Sequence, residues 1–211
     1  MVKRFKDYIT EKVNLTEESL FDSSSLYHEM AILRPGAREK MQNALQFISS
    51  NGIQGVVIGG MSVSHFTVDR HLTPDVDFLV ADMGQLKAIL DSQNIAYQPL
   101  ASTGEFDGIN VPEIDADFLD ANQGNIPFNH YILKTAVPAK IGGATFAVIN
   151  PAVLTILKFT LGREKDTEDA FKLLPTVPKK EIKSHLVTLK NWLGNDIDAE
   201  TIWNYAQSLA A

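Results

Sequence analysis

The sequence predicts an α/β fold, in which a mixed sheet of about four or five strands is flanked by helices and followed by C-terminal helices. Short apolar runs at residues 56–58 and 78–80 are typical of buried strands. Around them, apolar residues recur at three- and four-residue spacing, as in residues 35–50, which is the spacing of an amphipathic helix. Strands that alternate with such helices predict a sheet covered by helices.

The first helix, at residues 35–50, starts and ends with residues that suit its termini. Pro35 fits a first turn, and Asn51-Gly52 fits a C-cap. After it, alternation, apolar runs and helical spacing predict a series of short elements. In order, these are a strand at 54–58, a helix at 61–68, a strand at 75–80, a helix at 82–93, and strands at 96–100 and 114–119.

The second half of the chain is predicted to close the sheet and then turn helical. Residues 132–137 and 144–149 are expected to pair as a hairpin across Ile141-Gly142-Gly143. Helices follow at 151–161, 168–174, 179–193 and 198–209, with Pro175 and Pro178 as breaks. We therefore divide the chain into an N-terminal helical arm at 1–34, a core at 35–150, and a C-terminal helical part of the same domain at 151–211.

Composition and charge limit the class of protein. The 211 residues carry 19 basic and 26 acidic side chains, a net charge of −7, which argues against a broad nucleic-acid surface. There is no cysteine, and no apolar run approaches the ~20 residues of a membrane helix. No apolar signal core follows the basic N-terminus. These features favour a soluble, cytoplasmic protein without a membrane partner.

Two carboxylates lie next to an apolar strand. In Asp75-Val76-Asp77 the acids are two residues apart, so a strand would direct both to one face. Each negative charge disfavours ionisation of the other unless a cation lies between them. Magnesium, which prefers oxygen ligands, is the simplest such cation. Separated from Asp75 by fourteen residues, Gly59-Gly60 ends another strand and would let a phosphate approach the backbone at a helix start.

These motifs resemble the signature of the nucleotidyltransferase superfamily, which has the polymerase-β-like fold. The matching residues are Gly59-Gly60-Met61-Ser62, followed by Asp75-Val76-Asp77-Phe78. A closer similarity is to a bacterial subgroup of abortive-infection toxins and related nucleotidyltransferases, on Arg70 to Asp77 (with one extra residue before Thr73) and on the segment 157–169. The resemblance covers about residues 40–175 and implies transfer of a nucleoside monophosphate from an NTP with magnesium as cofactor.

The resemblance also implies roles for individual residues. Asp75 and Asp77 would bind metal, and a third acid is expected on a neighbouring strand. Asp117 is the first choice for that acid and Asp115 the second. The residues expected to contact the nucleotide, ATP or another NTP, are Gly59, Gly60, Ser62, Arg70, Thr73, Lys158, Arg163 and Lys165.

Several alternatives stay open from the sequence. Ser62 is equally suited to cap a helix, and Asp166 and Asp169 are better suited to hold Arg163 or Lys165 by ion pairs than to bind metal. The chain could also bind nucleotide without turnover, as a sensor or as the partner of an antitoxin protein. A phosphohydrolase is less favoured because it usually recruits histidine. The acceptor, whether a tRNA end, a protein or a small molecule, is not encoded in any recognisable motif.

Overall fold

The computed structural model describes residues 37–67, 75–100, 107–141, 143–161, 163–190, 192 and 202–204. The predicted arm at 1–34 lies outside the described residues. Within them the chain forms a mixed seven-stranded sheet with helices, which confirms the predicted fold class. The sheet contains more strands than predicted. One of the additional strands is formed by Gly108–Val111, a segment for which no strand is predicted. No helix in the described residues is long and apolar enough to cross a bilayer.

The elements follow the predicted order closely in the first half of the chain. They are α1 (Ala37–Ser50), β1 (Gly55–Ile58), α2 (Gly59–Phe66), β2 (Val76–Val80), α3 (Met83–Ser92), β3 (Gln98–Pro99), β4 (Gly108–Val111) and β5 (Ala116–Asp120). The second half contains α4 (Ile126–Thr135), β6 (Val137–Ile141), β7 (Ala144–Val148), α5 (Pro151–Leu161), α6 (Glu164–Leu173), a 3-10 helix (Leu174–Thr176) and α7 (Lys179–Leu189).

The strand order in the sheet is β3-β4-β5-β2-β1-β7-β6. The neighbours β2 and β5 are parallel, as are β1 and β7, whereas the other pairs are antiparallel. Strand β2 therefore lies in the middle of the sheet, between β5 and β1. Because β2 and β5 are paired in register, side chains at partner positions of these two strands lie next to each other on one face.

Alternation along the central strands separates an aromatic face from a polar one. Phe78 and Phe118 are fully buried, and their rings meet edge to face. Phe47 of α1 packs on Phe118 in the same manner, which places α1 over this face. Asp77 and Asp117, one position earlier in each strand, point to the opposite face.

The prediction of a strand at 132–137 is wrong, because most of it belongs to the helix α4. The Asn125 side chain accepts a hydrogen bond from the Phe128 amide and so caps the helix. Pro127 lies in the first turn, where no intrahelical donor is needed. Phe128 and Ile132, four residues apart, are both buried. The hairpin itself is present, but its first arm starts at Val137.

The predicted helices at 151–161 and 179–193 are present, the second as Lys179–Leu189, whereas the helix predicted at 198–209 lies outside the described residues except for 202–204. One change concerns the candidate site. The helix at 151–161 ends at Leu161, and a new helix starts at Glu164. Lys158 and Lys165 therefore belong to different helices and do not share a helix face. Helix α6 begins earlier than the predicted 168–174, because Arg163 already takes the N-cap position.

Candidate active site

The turn from β1 into α2 requires glycine at position 59 for two reasons. Gly59 has φ +66°, a left-handed conformation that side chains other than glycine's strain to adopt. A Cβ at this position would also clash with Oδ2 of Asp77. Helix α2 starts at this residue, two positions earlier than expected. Because Gly59 has no side chain, the Asp77 carboxylate has space beside the start of α2.

Asp77 and Asp117 form the centre of the candidate site. They are direct partners in the parallel register of β2 and β5. The pKa of Asp77 is raised to about 6, chiefly by burial and in addition by the negative charges of Asp117 and Asp75. A hydrogen bond from the Gly60 backbone amide and the positive charge of Lys158 act in the opposite direction. The site therefore holds a carboxylate that is costly to ionise as it stands.

Asp117 is affected in the same way. Burial raises its pKa, and the charges of Asp75 and Asp115 add to that effect. The side-chain amide of Asn110, on β4, donates a hydrogen bond of 2.6 Å to Oδ1 of Asp117 and lowers the pKa. Asp75 lies immediately before β2 and is exposed. Its charge acts on both partners, so the three carboxylates form one electrostatic group.

Asp115, the alternative third acid, is held differently. It precedes β5 rather than lying on it, and its φ of +54° turns the chain at this point. The strand predicted at 114–119 therefore starts two residues later, at Ala116, and leaves Asp115 in the preceding turn. Lys40 of α1 forms an ion pair of 3.2 Å with Asp115. Of the two acids, it is Asp117 that lies beside Asp77.

The start of α2 is occupied by groups of the protein itself. The Gly60 amide donates to the Asp77 carboxylate, so this helix terminus already faces a negative charge. Ser62 is fully buried, and its hydroxyl donates to the Val57 carbonyl oxygen at 2.9 Å. The N-cap is Ile58, without a side-chain bond, so Ser62 is not the cap. Its hydroxyl fixes α2 to the end of β1.

Lys158 forms a buried charge cluster with Asp166 and Asp169, and Arg163 joins this cluster from the surface. Its Nζ atom lies 2.6 Å from Oδ1 of Asp166 and 3.0 Å from Oδ2 of Asp169. Arg163 donates through Nε to the other oxygen of Asp166. Although burial alone raises the pKa of Asp166, the hydrogen bonds and charges of Lys158 and Arg163 lower it overall. Asp169 thus pairs with Lys158 rather than with Lys165.

The remaining residues expected at the nucleotide are spread more widely. The Arg163 side chain is 56% exposed, and Lys165 is exposed on α6. Arg70 and Thr73 lie outside the described residues. The structure therefore brings together Gly59, Gly60, Asp75, Asp77 and Asp117, with the charge of Lys158 close enough to act on Asp77.

A family model described as "Nucleotidyl transferase of unknown function (DUF2204)" matches residues 37–200. The chain belongs to this nucleotidyl transferase family. The match includes the glycine turn, the acidic strands and the Lys158 helix, and it confirms the resemblance to the nucleotidyltransferase superfamily. The narrower similarity to abortive-infection toxins stays a prediction.

Three solved structures resemble parts of this family member. One is an antigenic nucleotidyltransferase-like protein from Paracoccidioides brasiliensis, with 18% identity over 72% of this chain and 89% of that one, at a TM-score of 0.46. The lincomycin-bound lincosamide antibiotic adenylyltransferase LnuA has 14% identity over 66% and 97%, at 0.44. The antibiotic-resistance factor ANT(2'')-Ia has 12% identity over 82% and 90%, at 0.42. None of the curated proteins matches the chain.

The donor chemistry of the acidic group fits the magnesium that the fold implies. Asp77 and Asp117 offer hard oxygen ligands on adjacent strands, and their raised pKa values show that a nearby cation would relieve unfavourable charge. Among the described residues, no three acidic, histidine or cysteine side chains are arranged as a complete metal cage. Magnesium is usually held by one or two carboxylates together with substrate phosphates and water, so a complete cage is not required.

Asn110 is a site residue that sequence reasoning missed. Asn110 lies between the predicted strands at 96–100 and 114–119 and belongs to neither. The signal was nevertheless present, since Asn110 lies between Ile109 and Val111 in a polar–apolar alternation. Its pairing with Asp117 depends on the register of β4 and β5, which the sequence does not specify.

Proposed function

We propose that this protein is a metal-dependent nucleotidyltransferase, which moves a nucleoside monophosphate from an NTP to a hydroxyl acceptor. The observation that carries the proposal is the pairing of Asp77 with Asp117, beside the glycine turn at the start of α2. Membership of the family supports the reaction class. The NTP donor, the metal and the acceptor are the parts that the proposal adds.

Asp75, Asp77 and Asp117 are the residues that would hold magnesium. When bound, magnesium would polarise the α-phosphoryl group and neutralise charge on the triphosphate. Without a cation the three carboxylates repel one another and an anionic triphosphate as well. The cluster therefore suits a ligand that arrives together with its metal.

Asp117 is the proposed base of the reaction. An oxygen of the acceptor hydroxyl forms a bond to the α-phosphorus, while the bond from that phosphorus to the bridging oxygen of the β-phosphate breaks. Pyrophosphate leaves with the electron pair, and the proton of the hydroxyl passes to the Asp117 carboxylate and then to solvent. The hydrogen bond from Asn110 keeps this carboxylate more readily ionised than burial alone would allow.

We propose that some positively charged residues contact the triphosphate directly, whereas Lys158 attracts it from a greater distance. Arg163 and Lys165 are exposed and could contact phosphate oxygens directly, as could Arg70 with its planar guanidinium. Lys158 forms ion pairs with two aspartates. We therefore assign it an electrostatic effect on Asp77 and the ligand rather than a direct contact with phosphate oxygens. We propose that Gly60 and Thr73 lie beside the phosphates, and that Ser62 supports the turn.

A second candidate function is nucleotide binding without turnover, as a sensor or as one partner of a toxin–antitoxin pair. It is favoured by the engagement of Ser62 and Lys158 within the protein, because these two groups were expected at the phosphates. The acceptor of an active enzyme could be a tRNA end, a protein or a small molecule. The surplus of acid in residues 68–126, eleven against two basic residues, favours a cationic acceptor.

The matched variants Asp117→Asn and Asp115→Asn test the proposal. Pyrophosphate release from each NTP is measured with magnesium, in a screen of hydroxyl acceptors that includes water. We expect Asp117→Asn and the double variant Asp75→Asn/Asp77→Asn to lose turnover while staying folded. Asp115→Asn should retain it, because Asp115 pairs with Lys40 and asparagine tolerates a positive φ.

Two results of this experiment would count against the proposal. Turnover that survives in Asp75→Asn/Asp77→Asn would exclude the carboxylate mechanism. Magnesium-dependent NTP binding without product from any acceptor would favour the non-catalytic alternative.

A further inference from the structure

A row of polar side chains crosses four strands on the face that carries the candidate site. Gln98 on β3 is the partner of Asn110 on β4, which in turn is the partner of Asp117 on β5. Asp117 is the partner of Asp77 on β2. The row thus leads from the exposed edge strand to the centre of the site, in a single register.

Two hydrogen bonds along this row run from donor to acceptor in the same direction, from Gln98 toward Asp117. Nε2 of Gln98 donates to Oδ1 of Asn110 at 3.3 Å. Nδ2 of Asn110 donates to Oδ1 of Asp117 at 2.6 Å. An amide has one acceptor side and one donor side, so the bond from Gln98 leaves only the NH₂ group of Asn110 to face the carboxylate. The Asp117 carboxylate can only accept, and the bond from Gln98 supports the orientation of Asn110 in which its NH₂ group donates to Asp117.

The orientation of Asp117 depends on such a donor. The terminal torsion of an aspartate has a broad, roughly two-fold preference, so the side chain alone does not decide which way its oxygens face. Two adjacent carboxylates would also turn away from each other. In the described part of the chain, Asn110 is the hydrogen-bond donor that engages Asp117, and it does so from the side opposite to Asp77.

We propose that Asn110, oriented by Gln98, is a positioning residue that fixes the Asp117 carboxylate with Oδ1 toward β4 and leaves Oδ2 for the reacting groups. This inference rests on the proposed function, in which Asp117 receives the proton of the acceptor. In this proposal Asn110 acts on the reaction only through Asp117. Its removal should therefore slow the chemical step without weakening nucleotide binding.

The first part of the test observes the hydrogen bond directly and needs no substrate. In ¹⁵N-labelled protein, the side-chain NH₂ signal of Asn110 is assigned by its loss in Asn110→Ala. We expect one of its protons to be shifted downfield by the short bond to a carboxylate. Asp117→Ala should abolish this shift. Gln98→Glu should also abolish it, because a carboxylate at that position attracts the NH₂ group away from Asp117.

The second part measures pyrophosphate release. In Asn110→Ala and Asn110→Asp we expect kcat to fall by about 10–100-fold, as for other residues that orient a functional carboxylate, with KM for the NTP changed by less than about twofold. Gln98→Glu should cause a smaller fall of the same kind. Gln93→Glu is the matched control, because Gln93 donates to Oδ1 of Asn51 in an equivalent surface pair outside the row; it should leave kcat unchanged.

Each outcome bears on the inference. An Asn110 signal that is unaffected by Asp117→Ala overturns it, whatever the turnover shows. A lost shift together with wild-type kcat in Asn110→Ala also overturns it, because the bond would then have no effect on the reaction. A lost shift in a protein that turns over no NTP supports the positioning of Asp117 and rejects the proposed function instead. Gln98 is exposed, so Gln98→Glu remains informative even if a variant at Asn110 fails to fold.

Discussion

The molecule holds two groups of acidic side chains that differ in how their charge is balanced. Asp166 and Asp169 lie within hydrogen-bond distance of Lys158, and Asp166 also binds Arg163, so the cluster contains two acids and two bases. The carboxylates at the centre of the sheet form no ion pair with a base of the described residues, and only the more distant charge of Lys158 acts on Asp77. The pKa of Asp166 is accordingly lowered, whereas the pKa of Asp77 is raised to about 6.

The difference separates a structural cluster from a candidate ligand site. A buried ion cluster that satisfies its own charges holds α5 and α6 together and needs nothing further. A group of carboxylates that repel one another stores unfavourable free energy, which a metal and an anionic ligand would release. Proteins commonly keep such arrangements where a ligand has to bind. The comparison can be tested by changing the charge of one group at a time.

The largest effect is expected from Lys158→Met, which leaves Asp166 and Asp169 buried without their main cation. Removing one partner of a buried ion pair typically costs about 3–5 kcal/mol of unfolding free energy. Urea denaturation at pH 7 measures the loss. The triple variant Lys158→Met/Asp166→Asn/Asp169→Asn should recover most of it, and a stability near that of wild type for the single variant would show that the cluster is not structural.

An increase in stability is expected from Asp77→Asn. The folded pKa of about 6 lies above the ordinary value of 3.8, so folding favours the protonated acid. The stabilisation from this group is complete below about pH 4 and is lost as the pH rises through 6, a difference of about 3 kcal/mol. Asparagine cannot ionise, so the variant should gain up to that amount at pH 7–8 and nothing at pH 3.5.

Thermal or urea unfolding across this pH range measures the gain. Asp75→Asn serves as the control, because Asp75 is exposed and its removal should change stability much less. A variant at Asp77 that is less stable than wild type at pH 8 would mean that the carboxylate is already well compensated.

A smaller loss is expected from Gly59→Ala. The positive φ costs about 1–2 kcal/mol with alanine, and the new Cβ would displace the Asp77 carboxylate. Gly52→Ala is the matched control, since Gly52 has a similar φ of +62° but open space around it. The difference between the two variants in unfolding free energy measures the contact with Asp77. Equal losses would show that the contact between a Cβ at position 59 and the Asp77 carboxylate does not affect stability.

The smallest effect is expected from Lys40→Met. Lys40 pairs with Asp115 at 3.2 Å, but its side chain is 54% exposed, so water competes for both charges. Surface ion pairs of this kind contribute about 0–1 kcal/mol. Compared by urea denaturation with Lys158→Met, this variant tests whether burial, rather than the presence of an ion pair, separates the two lysines. A loss of several kcal/mol would contradict that distinction.

The sequence predicts local features well where one pattern determines them. The glycine turn, the Asp75-Val76-Asp77 motif and the helix at 151–161 each follow from residue type and spacing. The prediction was wrong where two patterns compete. The segment 132–137 is apolar enough for a strand, but the cap at Asn125 and the spacing of buried residues make it helical.

Contacts between distant segments could not be predicted from the sequence. The choice between Asp115 and Asp117 depends on the turn before β5 and on the register with β2. The pairing of Lys158 with Asp169 depends on how α5 and α6 pack after the break at Leu161. The amide of Asn110 reaches Asp117 only because β4 and β5 align in one register. None of these is determined by a local pattern.

A calorimetric titration of each NTP, with and without magnesium, tests most directly whether the central carboxylates form the ligand site. It compares the wild-type protein with Asp77→Asn/Asp117→Asn, whose fold is checked by its unfolding transition. We expect magnesium-dependent binding of at least one NTP to the wild type and its loss in the double variant. Equal binding by both proteins would place the nucleotide elsewhere and contradict the assignment of this site.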